Sequence, residues 1–437
     1  MNVRDINKLN SLLVITSYPD PDDKNTGDQH FNAVGWHSQK TLKGIANTNP
    51  VVVCAEKRDS SQVFSPHKNL YVKRIWEKSN PFSFINLFSF ILRLSNVKTI
   101  LVQFEFNVFG GILPNIALLI MLFLLKLTGR RIIFELHQVI LDISQLEKHI
   151  NIKNPIKQQF FDQCLRLFYV LLGLSTTAII VFEQELKNRL KPMIAAQKIN
   201  VLPLAVETKD LIPKNIAREH LNLNNNEFVL LVFGFINGYK GIEWIIPTLS
   251  SLDRNKFKLI IAGGENPYLK DKEFYQKFYN SIVEEVEKNP NVTLTGFIPE
   301  NEIKYYFHAA DLVLMPYTVF MSASGPFSLT LGYGKPILLS EKLIEYTQST
   351  DFKAVLDQSG LTTNDLYFSL KDKQSVVNLI NKYCTEPIAL QKLANFSVQL
   401  SQLRDSKNIL KEYITVLFPQ TKPAFIKASR PSFLKIP

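Results

Sequence analysis

Several short stretches of this 437-residue chain set chemistry-bearing residues among small ones. In "VFGFINGYKGIEW", Gly234, Gly238 and Gly241 surround Lys240. Bare backbone lets an anion come close, so glycines around a lysine can cradle a phosphate, and equally they can be ordinary turns at a strand end. In "SASGPFSLTL", Ser322, Ser324 and Gly325 precede an apolar run. A helix starting near Pro326 would be capped by Ser324 and carry proline in its first turn, and its free amides would act as about half a positive charge. That describes an anion cradle, and equally an ordinary capped helix without a ligand. Gly110-Gly111 in "NVFGGILP" opens another helical stretch, and His137 follows the apolar run "IIFEL". Such a histidine carries protons or simply packs. Gly27-Asp28 lies in a loop before a helix, and the "DPD" at Asp20–Asp22 has the look of a metal-holding acidic pair. Its proline and its place directly after a strand fit a plain loop better.

These residues need elements to hold them. "SLLVITSYP", "PVVVCAEK", "NLYVKRIW", "TILVQFEF", "RRIIFELH", "TAIIVFE" and "NVLPLAVE" read as strands whose apolar character is continuous, not alternating. Strands of that kind are buried on both faces, as in parallel sheets covered by helices. After the polar stretch "KNIAREHLNLNNNE" the series restarts with "FVLLVFGF", "FKLIIAGG", "NVTLTGF", "DLVLMPY" and "KPILLSE", separated by helical patterns at 241–252, 271–288 and 300–309. The expected fold is α/β: two doubly wound Rossmann-like domains facing a cleft. Residues 1–205 form the first, 206–390 the second, and 391–437 a C-terminal helix and tail. Open sheets of this type bind ligands at the carboxyl ends of their strands, which is where the loops named above fall.

Composition adds limits. The chain is 46% hydrophobic and 20% charged, ordinary for a globular protein. Three widely spaced cysteines, Cys54, Cys164 and Cys384, argue for a reducing compartment and against a disulfide scaffold or a zinc site. Met1 to Leu12 carries charge and no apolar run, so a cleaved secretion signal is not expected. Most of the net charge of +11 lies in residues 1–205, which suggests an acidic partner such as a membrane surface or a phosphorylated substrate. No nucleic-acid module is present, so nucleic acid is not an expected partner. Val108 to Leu125 holds 18 uncharged residues, but Gly-Gly, a proline and two flanking strands favour a buried crossover helix over a membrane span.

The order and spacing of "GFINGYKGIEW", "LIIAGG", "VTLTGFIPENEIKYYFHAADLVLMPY" and "SASGPFSLTLGYGKPI" resemble the retaining, nucleotide-sugar-dependent glycosyltransferases of GT-B architecture, a group-1, family-four-like class that includes sucrose synthases and bacterial mannosyl- and glucosyltransferases. The resemblance spans roughly residues 11–410 and is looser in the first half, through "QFEFNVFGG" and "FELHQVIL". It implies that Lys240 contacts the donor diphosphate and that His137 lies at the sugar and the reaction centre. Gly296, Phe297 and Ile298 would set backbone against the nucleobase. Ser322, Ser324 and Gly325 would hold the pyrophosphate, and Gly27 would lie near sugar and acceptor. Glu105, Gly110 and Gly111 would belong to the acceptor loop. No metal and no cofactor is implied; the nucleotide-diphosphate sugar is the donor, and the acceptor is a glycan or lipid-linked.

Phe235 stands where the family commonly has an arginine, with Asn237 at the position used by some relatives, and Met321 and Leu329 stand where it has two glutamates. Ser-x-Ser-Gly replaces the first acidic motif. Two classes of function follow: a sugar-transferring enzyme, active in polysaccharide biosynthesis, or a nucleotide-sugar-binding protein without turnover. The expected location is cytoplasmic, at the inner face of the membrane if the basic first domain makes peripheral contact.

Overall fold

A computed structural model describes residues 11–20, 33–58, 62–146 and 152–419. Two sheets organise them. The first has eight strands: β1 Leu12–Ile15, β2 Val51–Glu56, β3 Val63–His67, β4 Leu70–Trp76, β5 Thr99–Phe104, β6 Arg131–Leu136, β7 Ala178–Val181 and β8 Ile199–Val201. Their order is β3-β4-β2-β1-β5-β6-β7-β8, parallel throughout except for β3 against β4. The second has six: β9 Phe228–Phe233, β10 Phe257–Ala262, β11 Val292–Leu294, β12 Leu312–Met315, β13 Ile337–Ser340 and β14 Tyr367–Phe368. Their order is β11-β10-β9-β12-β13-β14, all parallel. Two doubly wound α/β domains result, as the continuous apolar strands imply.

Seven helices matter for function: α1 Ala33–Ala46, α2 Ser83–Leu92, α3 Ile112–Leu127, α4 Pro155–Ser175, α5 Gly325–Gly332, α6 Pro387–Leu403 and α7 Ser406–Leu417. In the first domain α2, α3 and α4 cover one face of the sheet, while α1 and α7 lie on the other. The central strand β1 is buried at every position and pairs with β2 and β5, Leu12 facing Val51 and Thr99.

The apolar stretch after Val108 is indeed a crossover, running from β5 to β6 as α3. It is buried on one side only: Leu118, Leu122 and Leu125 are in the core, whereas Ile112, Leu113, Ile116, Ile120 and Leu127 are exposed. No helix among the described residues is long and apolar enough to cross a membrane.

The segment after residue 390 divides. α6 packs on the second domain, but α7 returns to the first, where Leu410 meets Gly44 and Arg131 Nη2 donates to Val416 O at 3.0 Å. The two crossing strands of chain touch, with Val206 N donating to Arg404 O at 2.8 Å. Beside them Arg404, buried, bonds Glu183 of the first domain (2.6 Å) and Asp351 of the second (2.7 Å). Residues 420–437 lie outside the described residues.

Candidate active site

The carboxyl ends of the two sheets face a cleft of about 1030 Å³. On the side of the second domain, β9 ends at Phe233 and the chain turns through Gly234, whose φ is +101°. A Cβ at Gly234 would come within 2.5 Å of Lys240 Nζ, so the glycine makes room for the ammonium. The following turn is pinned from three sides. Asn266 Nδ2 donates to Asn237 Oδ1 at 2.6 Å, Thr318 N donates to Tyr239 O at 2.7 Å, and Gly241, at φ +69°, passes so close to Pro316 O that any side chain would collide.

Lys240 is therefore delivered into the cleft wall almost wholly buried. Its Nζ reaches Phe233 O at 3.4 Å and lies 6.0 Å from the centre of the Tyr317 ring. No carboxylate among the described residues pairs with it, and burial pulls its pKa from 10.5 down to about 7. An ammonium in that state gains from any anion that enters.

Next to it α5 begins. Ser324 is its N-cap, the hydroxyl accepting from Phe327 N at 3.3 Å, with Pro326 in the first turn. Tyr317 OH and Ser324 Oγ are 3.3 Å apart. A Cβ on Gly325 would meet nothing within 4 Å, so the space before the free amides is open. Pro326 would lie 3.1 Å from a Cβ on Gly234, which places this helix start against the Lys240 turn. Two independent positive groups, a dipole end and an ammonium, thus converge on one part of the cleft.

Farther along, Phe297 and Ile298 line the cleft, and Phe297 lies over Phe235 with ring centres 6.2 Å apart. Gly296 precedes them at φ +74°. Gly264 must be glycine because a Cβ would sit 2.7 Å from Phe297 N. Met321 and Leu329 line the cleft with apolar side chains, and Asn237 is spent on Asn266.

The first domain contributes His137 and Glu105. His137 directly follows β6, its Nε2 3.0 Å from Glu135 Oε1. Burial lowers its pKa, opposed by the hydrogen bond to Glu135. Glu105, between β5 and a short helix at Phe106–Phe109, lines the cleft, and burial pushes its carboxyl up to about 6 against the attraction of Lys78. Ser322 reaches across to pair its backbone with Gln138.

Gly110 and Gly111 do not line this cleft. Gly110 has φ +94°, and a Cβ there would strike Ser79, so a close backbone approach at the foot of α3 accounts for it. Gly27 lies outside the described residues. Asp20 pairs with the buried Arg74 and with Arg58, as a loop residue would; Asp22 is outside the described residues.

Glu135 is the residue sequence reasoning missed. Fully buried, it holds both His37 and His137 on Oε1 at 3.0 Å, accepts from Gln103 Nε2 at 3.1 Å, and takes Tyr413 OH on Oε2 at 3.0 Å. Burial alone would raise its pKa; the charge on His37 and the two histidine hydrogen bonds reverse that and hold it well below the usual carboxylate range. Gln103 in turn accepts from Ser38 at 2.5 Å. The network joins β5, β6, α1 and the returning α7. The ligand atoms of His37, Glu135 and His137 lie within 4.8 Å of one another, a spacing that suits a metal ion, but Oε1 already serves three donors. The readable signal was a carboxylate and an amide inside otherwise apolar strands; His37 gave none.

A sequence profile described as "Glycosyl transferases group 1" matches residues 213–338, which contain Lys240, the 296–298 turn and the start of α5. No curated protein matches the chain. Among solved structures, sucrose-phosphate synthase from Thermosynechococcus elongatus aligns with a TM-score of 0.70 at 16% identity, over 92% of this chain and 97% of that one. Anabaena HepE in complex with UDP-glucose aligns at 0.64 and 14% identity, over 93% and 99%. The trehalose-6-phosphate synthase OtsA aligns at 0.64 and 12% identity, over 93% and 98%. The chain has the GT-B fold, two Rossmann-like domains enclosing a cleft, with the group-1 profile falling on the half that holds Lys240 and α5.

Proposed function

We propose that this protein is a retaining glycosyltransferase that moves a sugar from a nucleotide-diphosphate sugar to a glycan or lipid-linked acceptor, without a metal. The observation that carries the reading is Lys240, a buried ammonium without a carboxylate partner, set against the capped start of α5. An enclosed, underpaired cation beside free amides is built for an anion with more than one charge. The UDP and UDP-glucose complexes of structurally similar HepE support the choice of a nucleoside diphosphate.

In this reading the diphosphate lies on the α5 amides and Lys240, and the base rests along Phe297 and Ile298. The bond from the anomeric carbon to the diphosphate breaks, and the electron pair stays on phosphate oxygen, where Lys240 and the amides stabilise it. The acceptor oxygen bonds to the same face of that carbon while its proton passes to the departing phosphate. His137, oriented by Glu135, lines the sugar position and Glu105 the acceptor side. Ser322 and Ser324 hold phosphate oxygens, and Gly296 keeps the base turn open. Mannosyl transfer in polysaccharide assembly at the cytoplasmic face of a membrane is the setting we assign.

The test is release of nucleoside diphosphate from a panel of nucleotide sugars, with and without EDTA, and the anomeric configuration of the product by proton NMR. Retained configuration and insensitivity to EDTA are expected. Loss of transfer with EDTA, restored by manganese, would refute the metal-free mechanism. A second reading, binding without turnover, is favoured by Met321 and Leu329 lining the cleft where the resembling enzymes carry glutamates. Tight binding with neither hydrolysis nor transfer of any donor would select it.

A further inference from the structure

Exposed apolar side chains gather on the outer face of α2, α3 and α4, which pack side by side on the first sheet. α4 exposes Ile156, Phe160, Leu167, Val170, Leu171 and Leu174, a stripe at helical spacing along a helix about 31 Å long. α3 is exposed in the same way: Ile112, Ile116, Ile120, Phe123 and Leu127 recur every three or four residues. α2 adds Phe82, just before its first residue, together with Ile85 and Leu92. Helices covering a sheet ordinarily turn polar residues outward; here the outward side carries large apolar side chains along all three helices. A continuous surface of this kind marks an interaction site.

Its charges identify the occupant. Lys157 and Arg166 interleave with the α4 stripe, Lys153 precedes it, and Arg93 and Lys98 follow α2; all are exposed. Neither α2 nor α3 contains an acidic residue, and the one on α4, Asp162, accepts from Ile143 N at 2.8 Å. A second copy of this chain meeting the face about a two-fold axis would bring basic rim against basic rim. An anionic bilayer supplies both what the stripes and what the rim lack: acyl chains under the apolar side chains and phosphate headgroups beside the cations.

We infer that the α2–α3–α4 face docks the protein on the surface of an anionic phospholipid bilayer, with the helices lying in the interface and not across it. α3 starts seven residues after Glu105, so docking holds the first-domain rim of the cleft at the headgroup layer. The acceptor then comes from the membrane: a lipid-linked sugar or phosphate whose tail stays in the bilayer while its head enters beside Glu105 and His137. The docking face stands on the apolar and basic residues alone; its tie to the acceptor rests on the proposed glycosyl transfer.

Cys164 provides a direct probe. It is exposed within the α4 stripe, four residues after Phe160 and three before Leu167, whereas Cys54 is buried. In a Cys384→Ala background, an environment-sensitive fluorophore on Cys164 should shift to the blue with phosphatidylcholine vesicles containing phosphatidylglycerol. The shift should be small with phosphatidylcholine alone and should weaken as salt rises. Lys157→Glu with Arg166→Glu should reduce vesicle affinity at least about tenfold. Ile116→Ser with Ile120→Ser should reduce it comparably while leaving the fold intact, because both side chains are already in water. Nucleoside-diphosphate titration of the same proteins is the parallel readout: vesicle binding without nucleotide binding would fail the glycosyl-transfer reading and leave the docking face standing. Absence of vesicle binding, or binding indifferent to all four substitutions, overturns the proposal. So does a concentration-dependent dimer in solution that Ile116→Ser with Ile120→Ser dissolves, which would assign the face to a second copy.

Discussion

Replacing Lys240 by methionine separates what this residue does for the fold from what it does for a ligand. Burial shifts its pKa from 10.5 to about 7, and at about 1.4 kcal/mol per unit the charged form is penalised by about 5 kcal/mol. The folded value lies below the unfolded one. The penalty is therefore full below about pH 7 and fades as pH rises toward 10.5, so this group makes stability increase with pH. Lys240→Met removes the penalty while keeping the length of the side chain. The unliganded variant should be more stable than the parent at neutral pH by up to about 4 kcal/mol, with a higher melting temperature. Ligand binding should show the opposite sign. A diphosphate recharges the lysine, so at about pH 8, where roughly nine-tenths of Lys240 is neutral, binding should take up close to one proton. Affinity should then fall about tenfold per pH unit between about pH 8 and 9, where the diphosphate itself no longer titrates. Calorimetry in buffers of different ionisation enthalpy reads the proton directly, and Lys240→Met should abolish both the uptake and the pH dependence. Binding of parent protein with no proton uptake and flat affinity over that range would refute the assignment of Lys240 to the diphosphate.

Gly325→Asp should nearly abolish nucleoside-diphosphate binding in calorimetric titration, because a carboxylate would occupy the anion's place at the α5 amides, and the open space there lets the variant fold. Arg404→Met should lower stability by about 3–5 kcal/mol in denaturant unfolding, since Glu183 and Asp351 lose the charge they share; a loss below about 1 kcal/mol would mean that this clamp is not holding the domains. Glu135→Gln should move the NMR titration of His137 further below the ordinary histidine value, because the hydrogen bond to the carboxylate is what opposes burial there; an upward or absent shift would show that Glu135 does not position it.

The strands that sequence reveals and those it hides differ in one physical respect. β1, β2 and β5 are buried on both faces and announce themselves by the aliphatic runs Leu12–Ile15, Val51–Val53 and Ile100–Val102. β3 pairs antiparallel at the edge, mixes exposed and half-buried positions and contains Pro66, which an edge tolerates and a pattern search rejects. β14 has two residues, too few for any period. The start of α5 was legible because capping is local: a serine, a glycine and a proline specify it within three positions. The α7 return was not, because nothing in residues 406–417 names β6 as the place where Tyr413 finds Glu135. Nor does a helix apolar on every side say which side faces water, so α3 could be recognised as a crossover without its exposed half being seen.

The same contrast divides the cleft. Around Glu135 every polar partner is accounted for, with two histidines, an amide and a tyrosine meeting one carboxylate. Such a network fixes positions and has nothing left to offer a substrate except the orientation it imposes on His137. Lys240 and Glu105, on opposite walls, are the reverse: each is desolvated, and each has its pKa drawn toward neutrality, to about 7 and about 6. A folded chain carries such groups at a loss of stability, and the local consistency found in the strands and caps makes the exceptions informative. The cation lies where the α5 amides already favour negative charge, and the acid lies where the first domain opens. A ligand able to relieve both would bring an anion to one wall and a hydrogen-bond donor to the other, which is the chemistry of a diphosphate leaving and a hydroxyl arriving.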